Sequence, residues 1–498
     1  MFYEKSLNLK KISYKKYNYS NFSNGMNSEI DETLLPLRFA KNTYNFDFNN
    51  GALKTGLGIS EAYLLYDAKN PTAKKLLNYP EGLDILGAWV FKQFNHYSKE
   101  YNNMFIVYCS DKYLYVNYLY ATTPALVKIS SLTFSSCPTI LNYKVNGEDT
   151  ILICTPEDGL FFWNNVQPSE KIESAPMITS MCMHYERLFA TGSLDKRSLW
   201  FSDDMNPTNW NLSLTEGGFI QMIDEKGTLN KVVSFDDYLY VFREYGIARV
   251  VAYANQSEFS VTQLYTSNNR IYEKTIAVCG DRVMFLASDG VYSFNGITTT
   301  KLTLGIENLL NVNINSQAIG AYFDGYYYIA CKMSFPDFEE VECEAGDYKN
   351  NVLLEINLKS WTINILRGVD IYNMQAITDE VENALFVCVK HEGKVRLGKV
   401  DKSGQVYSKA TKKVWCAPRV DFNLPIRKKL IKEMSIITKT DITIEFDTDG
   451  KKKSMIVFGK QNAQKIFPNV TGYFVGINFI SAQAEVEISN PQIIVGVL

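Results

Sequence analysis

Three histidines, His96, His184 and His391, are the only ones in this 498-residue sequence. They lie far apart, and no His-x-x-x-His or His-Glu-x-x-His pairing occurs. A Ser-His-Asp relay or a histidine-ligated metal site would need at least one of them. No Gly-x-Gly-x-x-Gly or P-loop pattern is present either. The sequence therefore predicts no catalytic residue, no cofactor and no metal, and we interpret each histidine as structural or as part of the surface.

Two acidic motifs could also carry chemistry. The stretch from Ser193 to Trp200 has the Ser, Asp and Trp of a sialidase Asp-box, but Arg197 stands where the turn requires glycine. The stretch 447–450 (Asp-Thr-Asp-Gly) resembles the start of a calcium loop, but the glutamate that would complete an EF-hand is missing. We predict a hairpin turn there. Paired carboxylates assembled at a central channel would still allow a glycoside hydrolase.

One basic run is the candidate for partner contacts. It comprises Arg427, Lys428, Lys429 and Lys432. Such a run is more often a solvated face, but if it binds, it would meet an acidic partner or the DNA backbone. The whole chain has 51 basic and 54 acidic side chains and a net charge of −3. This balance argues against a protein that holds nucleic acid mainly by neutralising phosphates.

A recurring unit indicates which elements position these residues. In each copy an acidic or amide residue ends a turn, and an apolar β-forming strand follows. The copies start at Asp111, Asp149, Glu186, Asp236, Asp281, Asp324 and Asn383. Their average spacing is about 45 residues, which is typical of a four-stranded propeller blade. We predict an all-β fold with a propeller of about seven blades, although unrelated hairpins in one or two sandwiches would also produce such turns.

A second signature supports the same period. Asp158-Gly159 and Asp289-Gly290 each precede an alternating aromatic strand, and they lie 131 residues apart, close to three blades. Asp-Gly supplies the positive φ that a tight turn requires.

The chain divides into three predicted parts. Residues 1–40 are polar and form an extended N-terminal arm that is ordered only against something else. Residues 41–410 form the β-propeller, and an Asn50-Gly51 pair near its start predicts a hairpin. Residues 411–498 contain short strands with polar turns and form a C-terminal β-sandwich. Helical periodicity is scarce, and Glu307 to Asn311 predicts at most a short turn of helix.

The cysteines and the hydropathy predict a reducing compartment. The nine cysteines are scattered without any Cys-x-x-Cys pair, which favours buried reduced thiols. The N-terminus lacks the apolar core of a signal peptide, and no stretch reaches the roughly 20 apolar residues of a transmembrane helix.

Several local stretches resemble segments of phage tail and neck propellers. They are 37–56, 187–192, 199–203, 206–210, 283–292, 359–361 and 415–422. Over roughly residues 37–460 the chain resembles the β-propeller tail hub, or packaged-DNA stabilisation protein, of short-tailed bacteriophages. The N-terminal arm and the C-terminal sandwich are not fixed features of that family, which leaves the position within the tail open.

This resemblance implies a non-enzymatic virion structural protein of the tail or neck. Several copies would form a ring around the DNA channel, help to close it after packaging, and connect to distal tail parts. The implied partners are other copies of the chain, portal-proximal neck proteins and distal tail proteins, with non-specific proximity to packaged DNA and no membrane insertion. The implied location is the virion, assembled in the host cytoplasm. The alternatives are a receptor- or carbohydrate-binding tail-tip propeller, a glycoside hydrolase and a cellular scaffold propeller.

Overall fold

The computed structural model shows an all-β chain with a propeller and a β-sandwich. It describes residues 12–18, 21–48, 51–67, 70–76, 80–118, 126–145, 147–166, 168–213, 216–253, 255–310, 315–335, 348–378 and 383–498. Within these ranges there is no α-helix, and the helical elements are short 3-10 turns. They span Gln256–Glu258, Glu273–Thr275, Glu307–Leu309 and Asn315–Gln317. The third of them confirms the short helical turn expected from the sequence.

The propeller consists of successive antiparallel sheets, which we number as blades in chain order. Blade 1 contains Ile85–Asn95, Glu100–Cys109, Leu114–Tyr118 and Leu126–Lys128. Blade 2 contains Thr139–Val145, Glu148–Thr155, Gly159–Trp163 and Glu170–Lys171. Blade 3 contains Ile178–His184, Arg187–Gly192, Ser198–Phe201 and Gly218–Gln221. Blade 4 contains Leu229–Phe235, Tyr238–Arg243, Gly246–Val251 and Ser260–Thr266.

The remaining blades continue this order. Blade 5 contains Ala277–Val278, Val283–Ala287, Gly290–Phe294 and Thr299–Lys301. Blade 6 contains Ile319–Phe323, Tyr326–Cys331, Val352–Asn357 and Ile363–Arg367. Blade 7 contains Ile371–Thr378, Asn383–His391, Lys394–Asp401, Gly58–Glu61, Gln405–Val406 and Lys409–Ala410. Tyr63–Asp67 and Asn70–Leu76 form a separate two-stranded hairpin.

Blade 7 is completed by a strand from the other end of the propeller. Gly58–Glu61 precedes blade 1 in the chain, yet it pairs antiparallel with Lys394–Asp401. The hydrogen bonds of this pairing tie the start of the propeller to its last blade. Ile59 on this strand is fully buried between blades 6 and 7, so closure also buries apolar surface.

Apolar clusters join neighbouring blades all the way around. Seven clusters each combine side chains of two successive blades, and one of them joins blade 7 to blade 1. In that closing cluster the rings of Phe105 and Phe386 lie 5.4 Å apart between centroids. The inner strands pack on both faces, which explains why their sequences read as nearly continuous apolar runs. Packing on both faces makes each blade a wedge held by two neighbours.

The repeat pattern found in the sequence matches the blades, with one displaced copy. Six of the seven copies lead into the second strand of a blade, but Asp111 leads into the third strand of blade 1, Leu114–Tyr118. Second and third strands both follow a tight turn and are both buried, so the pattern cannot separate them. Gly159 and Gly290 each begin the third strand of a blade, in blades 2 and 5. The three-blade offset between the two Asp-Gly turns is therefore confirmed.

The sandwich is built from both ends of the chain. One sheet contains Ser13–Asn18, Phe46–Asp47, Leu53–Thr55, Lys429–Thr438, Lys460–Ile466, Val470–Gly472 and Glu487–Val497. The other contains Asn42–Tyr44, Lys413–Cys416, Ile442–Thr448, Lys451–Val457 and Val475–Ser481. The described part of the arm thus lies against the sandwich of its own chain, and residues 1–11 lie outside the described residues. The predicted hairpin at Gly51 is confirmed by the pairing of Phe46 with Thr55.

Aromatic residues from both ends of the chain meet in the sandwich core. Trp415 is fully buried. Phe22 and Phe48 pack against its ring edge-on, at centroid distances of 5.0 and 5.6 Å. Edge-to-face contacts of this kind add to the stabilisation from apolar burial. The amino-terminal segment is therefore part of the sandwich core.

The cysteines of the described residues are all free thiols. Five are buried, Cys182 and Cys416 are half-buried, and Cys137 is exposed; Cys343 lies outside the described residues. Within the described part of the chain, no helix is long and apolar enough to cross a membrane.

Candidate interaction surfaces

The histidines occupy separate places in the propeller. His96 is exposed, and its ring meets Phe94 edge-on. His391 is half-buried beside Tyr407. His184 is buried, its Nδ1 lies 2.8 Å from the Ser234 hydroxyl, and burial lowers its pKa.

The Ser234–His184 contact does not extend to a catalytic relay. The other ring nitrogen of His184, Nε2, has no hydrogen-bond partner among the described residues. No acidic group therefore orients the imidazole through that atom, which a relay requires. Within the same part of the chain, no group of three or more His, Cys, Asp or Glu side chains could hold a metal ion.

The two acidic motifs form turns. Asp195 lies between the second and third strands of blade 3, and its carboxylate accepts the Arg197 backbone N–H at 3.2 Å. Asp449 and Gly450 join two paired strands and have positive φ values of 52° and 85°. The hairpin predicted for residues 447–450 is confirmed. The Asp449 carboxylate accepts backbone N–H groups of Tyr473 and Phe474.

The four candidate contact residues divide into one buried and three exposed side chains. Arg427, Lys428 and Lys432 are exposed. Lys429 is fully buried, and its ammonium donates hydrogen bonds to the carbonyls of Leu424 and Tyr473, each at 2.6 Å. Burial lowers the pKa of Lys429. The Lys429 side chain therefore anchors the strand, and only its three neighbours present charge to a partner.

Exposed apolar side chains surround this basic run. Ile426 is 88% exposed, Tyr473 46% and Leu498 45%. The backbone N–H of Leu498 donates to the Lys428 carbonyl, so the chain end lies beside the basic run. We call the surface formed by Ile426, Arg427, Lys428, Tyr473 and Leu498 the sandwich-end surface. It combines large apolar side chains with positive charge, which is characteristic of binding surfaces.

A basic edge strand borders the sandwich-end surface. Ser13–Asn18 pairs with Glu487–Val497, and its side chains, including Lys15 and Lys16, are mostly exposed. The ammonium of Lys432 lies 4.6 Å from the centre of the Tyr14 ring, a cation–π contact. The arm therefore extends the positive surface beyond the basic run itself.

A second exposed surface of opposite charge lies at one end of blade 3, beside the turn between its first two strands. Met205 is 74% exposed and Leu212 61%. The acidic residues Glu186 and Asp204 are also exposed, and the Met205 backbone N–H donates to the Glu186 carbonyl. We call the surface formed by these four residues the blade-3 rim. It combines apolar area with negative charge, so its chemistry complements that of the sandwich-end surface.

Sequence reasoning missed the blade-3 rim. Its residues come from the turn between the first and second strands of blade 3 and from the connection between the third and fourth strands. Met205 and Leu212 lie among Asp, Asn and Thr residues. Large apolar residues within such a polar connection were the signal in the sequence that could have indicated a binding surface. Only the fold shows that they lie beside the turn that carries Glu186.

Comparison with known proteins assigns the chain to no family. No family model matches the chain, and no curated protein matches it. The similar solved structures include BBS1N in complex with ARL6DN, soaked with lead, at 10% identity and a TM-score of 0.39, covering 71% of this chain and 98% of that one. The mercury-soaked form of the same complex has 10% identity and a TM-score of 0.39, and the match covers 70% of this chain and 96% of that one. Raptor from Chaetomium thermophilum has 10% identity and a TM-score of 0.33, and the match covers 63% of this chain and 28% of that one.

Similarity at this level carries no argument about function. The resemblance to a phage tail hub therefore stays a prediction.

Proposed function

We propose that the chain is a non-enzymatic structural protein of a phage tail or neck, in which several copies form a ring around the DNA channel. In this proposal the ring stabilises the packaged genome and connects to distal tail parts. The supporting observation is the pair of complementary exposed surfaces. One is basic and apolar at the sandwich end, and the other is acidic and apolar at the blade-3 rim.

Two different surfaces of opposite charge favour a head-to-tail contact. Such a contact generates a ring when its rotation closes, whereas a two-fold dimer uses the same patch on both copies. Ile426 and Leu498 would pack against the apolar residues of the rim. Arg427 and Lys428 would face Glu186 and Asp204. The propeller supplies rigidity, because each blade is held between two neighbours.

The first test reverses charge on one surface at a time. We expect Arg427→Glu with Lys428→Glu to weaken assembly at least tenfold, because glutamates would then face Glu186 and Asp204. Glu186→Lys with Asp204→Lys should have the same effect. Mass photometry and light scattering of the purified full chain measure the oligomer. Ile297→Asp is the matched control, because Ile297 is 71% exposed on blade 5 and should assemble like the wild type.

Mixing the two charge-reversed variants separates a ring from other assemblies. In an equimolar mixture every head-to-tail contact again joins opposite charges, so alternating rings should form. The proposal is supported if the oligomer forms in the mixture and neither variant forms it alone. A wild-type chain that stays monomeric at high concentration and is absent from the neck and tail of phage particles by cryo-electron microscopy overturns it.

A tyrosine pair on blades 3 and 4 favours one second candidate, a carbohydrate-binding propeller at the tail tip. Tyr185 and Tyr253 are 44% and 62% exposed, and their rings lie 5.3 Å apart between centroids. Exposed aromatic faces suit stacking against apolar ligand surfaces. Glycan-array binding that is lost in Tyr253→Ala would favour this candidate, and an array without signal would exclude it for the glycans displayed.

A further inference from the structure

A cavity of about 400 Å³ lies where the innermost strands of blades 2, 3 and 4 begin. Its walls come from the starts of those strands, from turns in blades 2 and 3, and from the connection between blades 4 and 5. Innermost strands surround the central channel of a propeller. We call this cavity the channel mouth. Its volume lies within the range of small-molecule sites.

Positive charge dominates the channel mouth. Its charged side chains are Lys196, Lys231, Arg270, Lys274 and Glu273, four basic and one acidic, in a chain whose net charge is −3. Arg270 lies 3.7 Å from Glu244, a weak and half-exposed ion pair. The ammonium groups of Lys196 and Lys274 make no hydrogen bond or ion pair within the described residues. Most of the positive charge here therefore has no close anionic partner.

Lys231 carries the most constrained of these charges. Its ammonium donates to the Ile276 carbonyl at 2.6 Å. Burial lowers the pKa of Lys231 to about 8, while Glu273 acts in the opposite direction. Holding an ammonium here costs free energy, and an anion placed beside it would offset that cost.

Groups from other blades also act on the mouth. Burial raises the pKa of the Cys137 thiol to about 12, and the charge of the exposed Lys274 acts in the opposite direction. Cys137 itself contacts Leu86 and Asn373, on the inner strands of blades 1 and 7. Thr139, at the start of the inner strand of blade 2, adds an exposed hydroxyl to the mouth. Cationic and hydroxyl donors thus converge on one space from several blades.

We propose that the channel mouth is a binding site for a small ligand with two or more phosphate groups. Several separated cations suit a ligand whose negative charge is spread over more than one group. Arg270 can bind a phosphate in a bidentate manner, and the lysines act as point charges. Thr139 and Asn230 would supply neutral hydrogen-bonding groups to phosphate oxygens. The site is separate from both surfaces proposed to form the ring.

Calorimetry of the full chain with inorganic tripolyphosphate tests this site. We expect saturable binding, weakened at least tenfold in Lys196→Gln with Lys274→Gln, because two unpaired cations are removed. Lys409→Gln with Lys460→Gln is the charge-matched control, since both lysines are exposed outside the mouth, and it should bind as the wild type does. The variant carrying Arg427→Glu and Lys428→Glu should also bind normally, because the site does not depend on ring assembly.

The pH profile adds a readout specific to Lys231. Affinity should fall as the pH rises through about 8, because the uncharged amine no longer attracts phosphate. The titratable groups that act on Lys231 are Glu273 and the Cys182 thiol. Burial raises the pKa of that thiol to about 12, so it stays neutral near pH 8. Absence of saturable tripolyphosphate binding at millimolar concentration overturns the proposal. Equal binding of citrate, or equal weakening in the lysine control, also overturns it.

Discussion

Replacing Lys413 with methionine tests the most unusual charge in the fold. This ammonium is fully buried where the propeller meets the sandwich, and it donates to the carbonyls of Gly404, Thr411 and Gln483. The Gly404 carbonyl also accepts from Thr411 and keeps that bond in Lys413→Met. The substitution therefore leaves two carbonyls, those of Thr411 and Gln483, without the donor that they have in the wild type. Each unpaired group costs about 1–3 kcal/mol. Removing a desolvated charge offsets part of that loss.

The pKa of Lys413 gives the size of the offset. Burial lowers it from 10.5 to about 8, and a shift of this size corresponds to about 3 kcal/mol. The unfolded chain binds more protons than the folded chain between pH 8 and 10.5, so wild-type stability rises with pH in that window. Below pH 8 the two contributions together place Lys413→Met between about 1 kcal/mol more stable and about 3 kcal/mol less stable than the wild type. The stability of Lys413→Met relative to the wild type should then fall by about 3 kcal/mol by pH 10.5.

Urea unfolding followed by tryptophan fluorescence at several pH values measures this difference. Subtracting the variant from the wild type removes the titration of all groups that the two proteins share. Lys409→Met, which removes an exposed lysine, should show no change with pH. A difference between wild type and Lys413→Met that stays constant from pH 7 to 10.5 would refute the reasoning. It would mean that three carbonyls hold the ammonium at its ordinary pKa.

Three further substitutions test other parts of the fold by the same unfolding assay. Ile59→Ala should lower the free energy of unfolding by about 2–5 kcal/mol, because Ile59 is fully buried in the strand that completes blade 7. An unchanged urea midpoint would show that this strand does not stabilise the closed propeller. Asp224→Ala should cost about 1–3 kcal/mol, because buried Arg243 donates to the Asp224 carboxylate at 2.7 Å. Arg243 lowers the pKa of Asp224, so the wild-type advantage should be present above the ordinary value of 3.8 and disappear as the pH falls through the lowered pKa. Gly450→Val should cost about 1–2 kcal/mol from backbone strain alone, because φ is 85° and a Cβ would meet no atom within 4 Å; a much larger loss would indicate contacts beyond the turn.

The sequence predicted the blades better than it predicted the surfaces. A turn residue followed by a buried strand repeats because each blade faces the same packing problem, so markers such as Asp236 and Asp324 identify blades directly. The fourth strand of blade 7 could not be found this way, because Gly58–Glu61 lies before the first blade and carries no marker. Pairing between distant segments depends on ring closure, which local patterns do not encode.

The same limit applies to the candidate contacts. Arg427 to Lys432 reads as one basic run, but strand alternation turns Lys429 inward while its neighbours stay exposed. The exact register of the strand decides which lysine is buried. The channel mouth was also hidden, because Lys196, Lys231 and Lys274 belong to different blades. Charged residues that come together only in the folded propeller form no motif in the sequence.

The strand Asn42–Tyr44 has consequences for how the protein is made. Thr43 bonds to Val414, 371 residues further along the chain. At ordinary translation rates of about 5–20 residues per second, this early strand waits roughly 20–75 s before its partner is synthesised. During that interval the edges of Asn42–Tyr44 and Leu53–Thr55 are open to pairing with other nascent chains. A premature stop before residue 413 would leave them open permanently, so truncated products should aggregate rather than accumulate as free propellers.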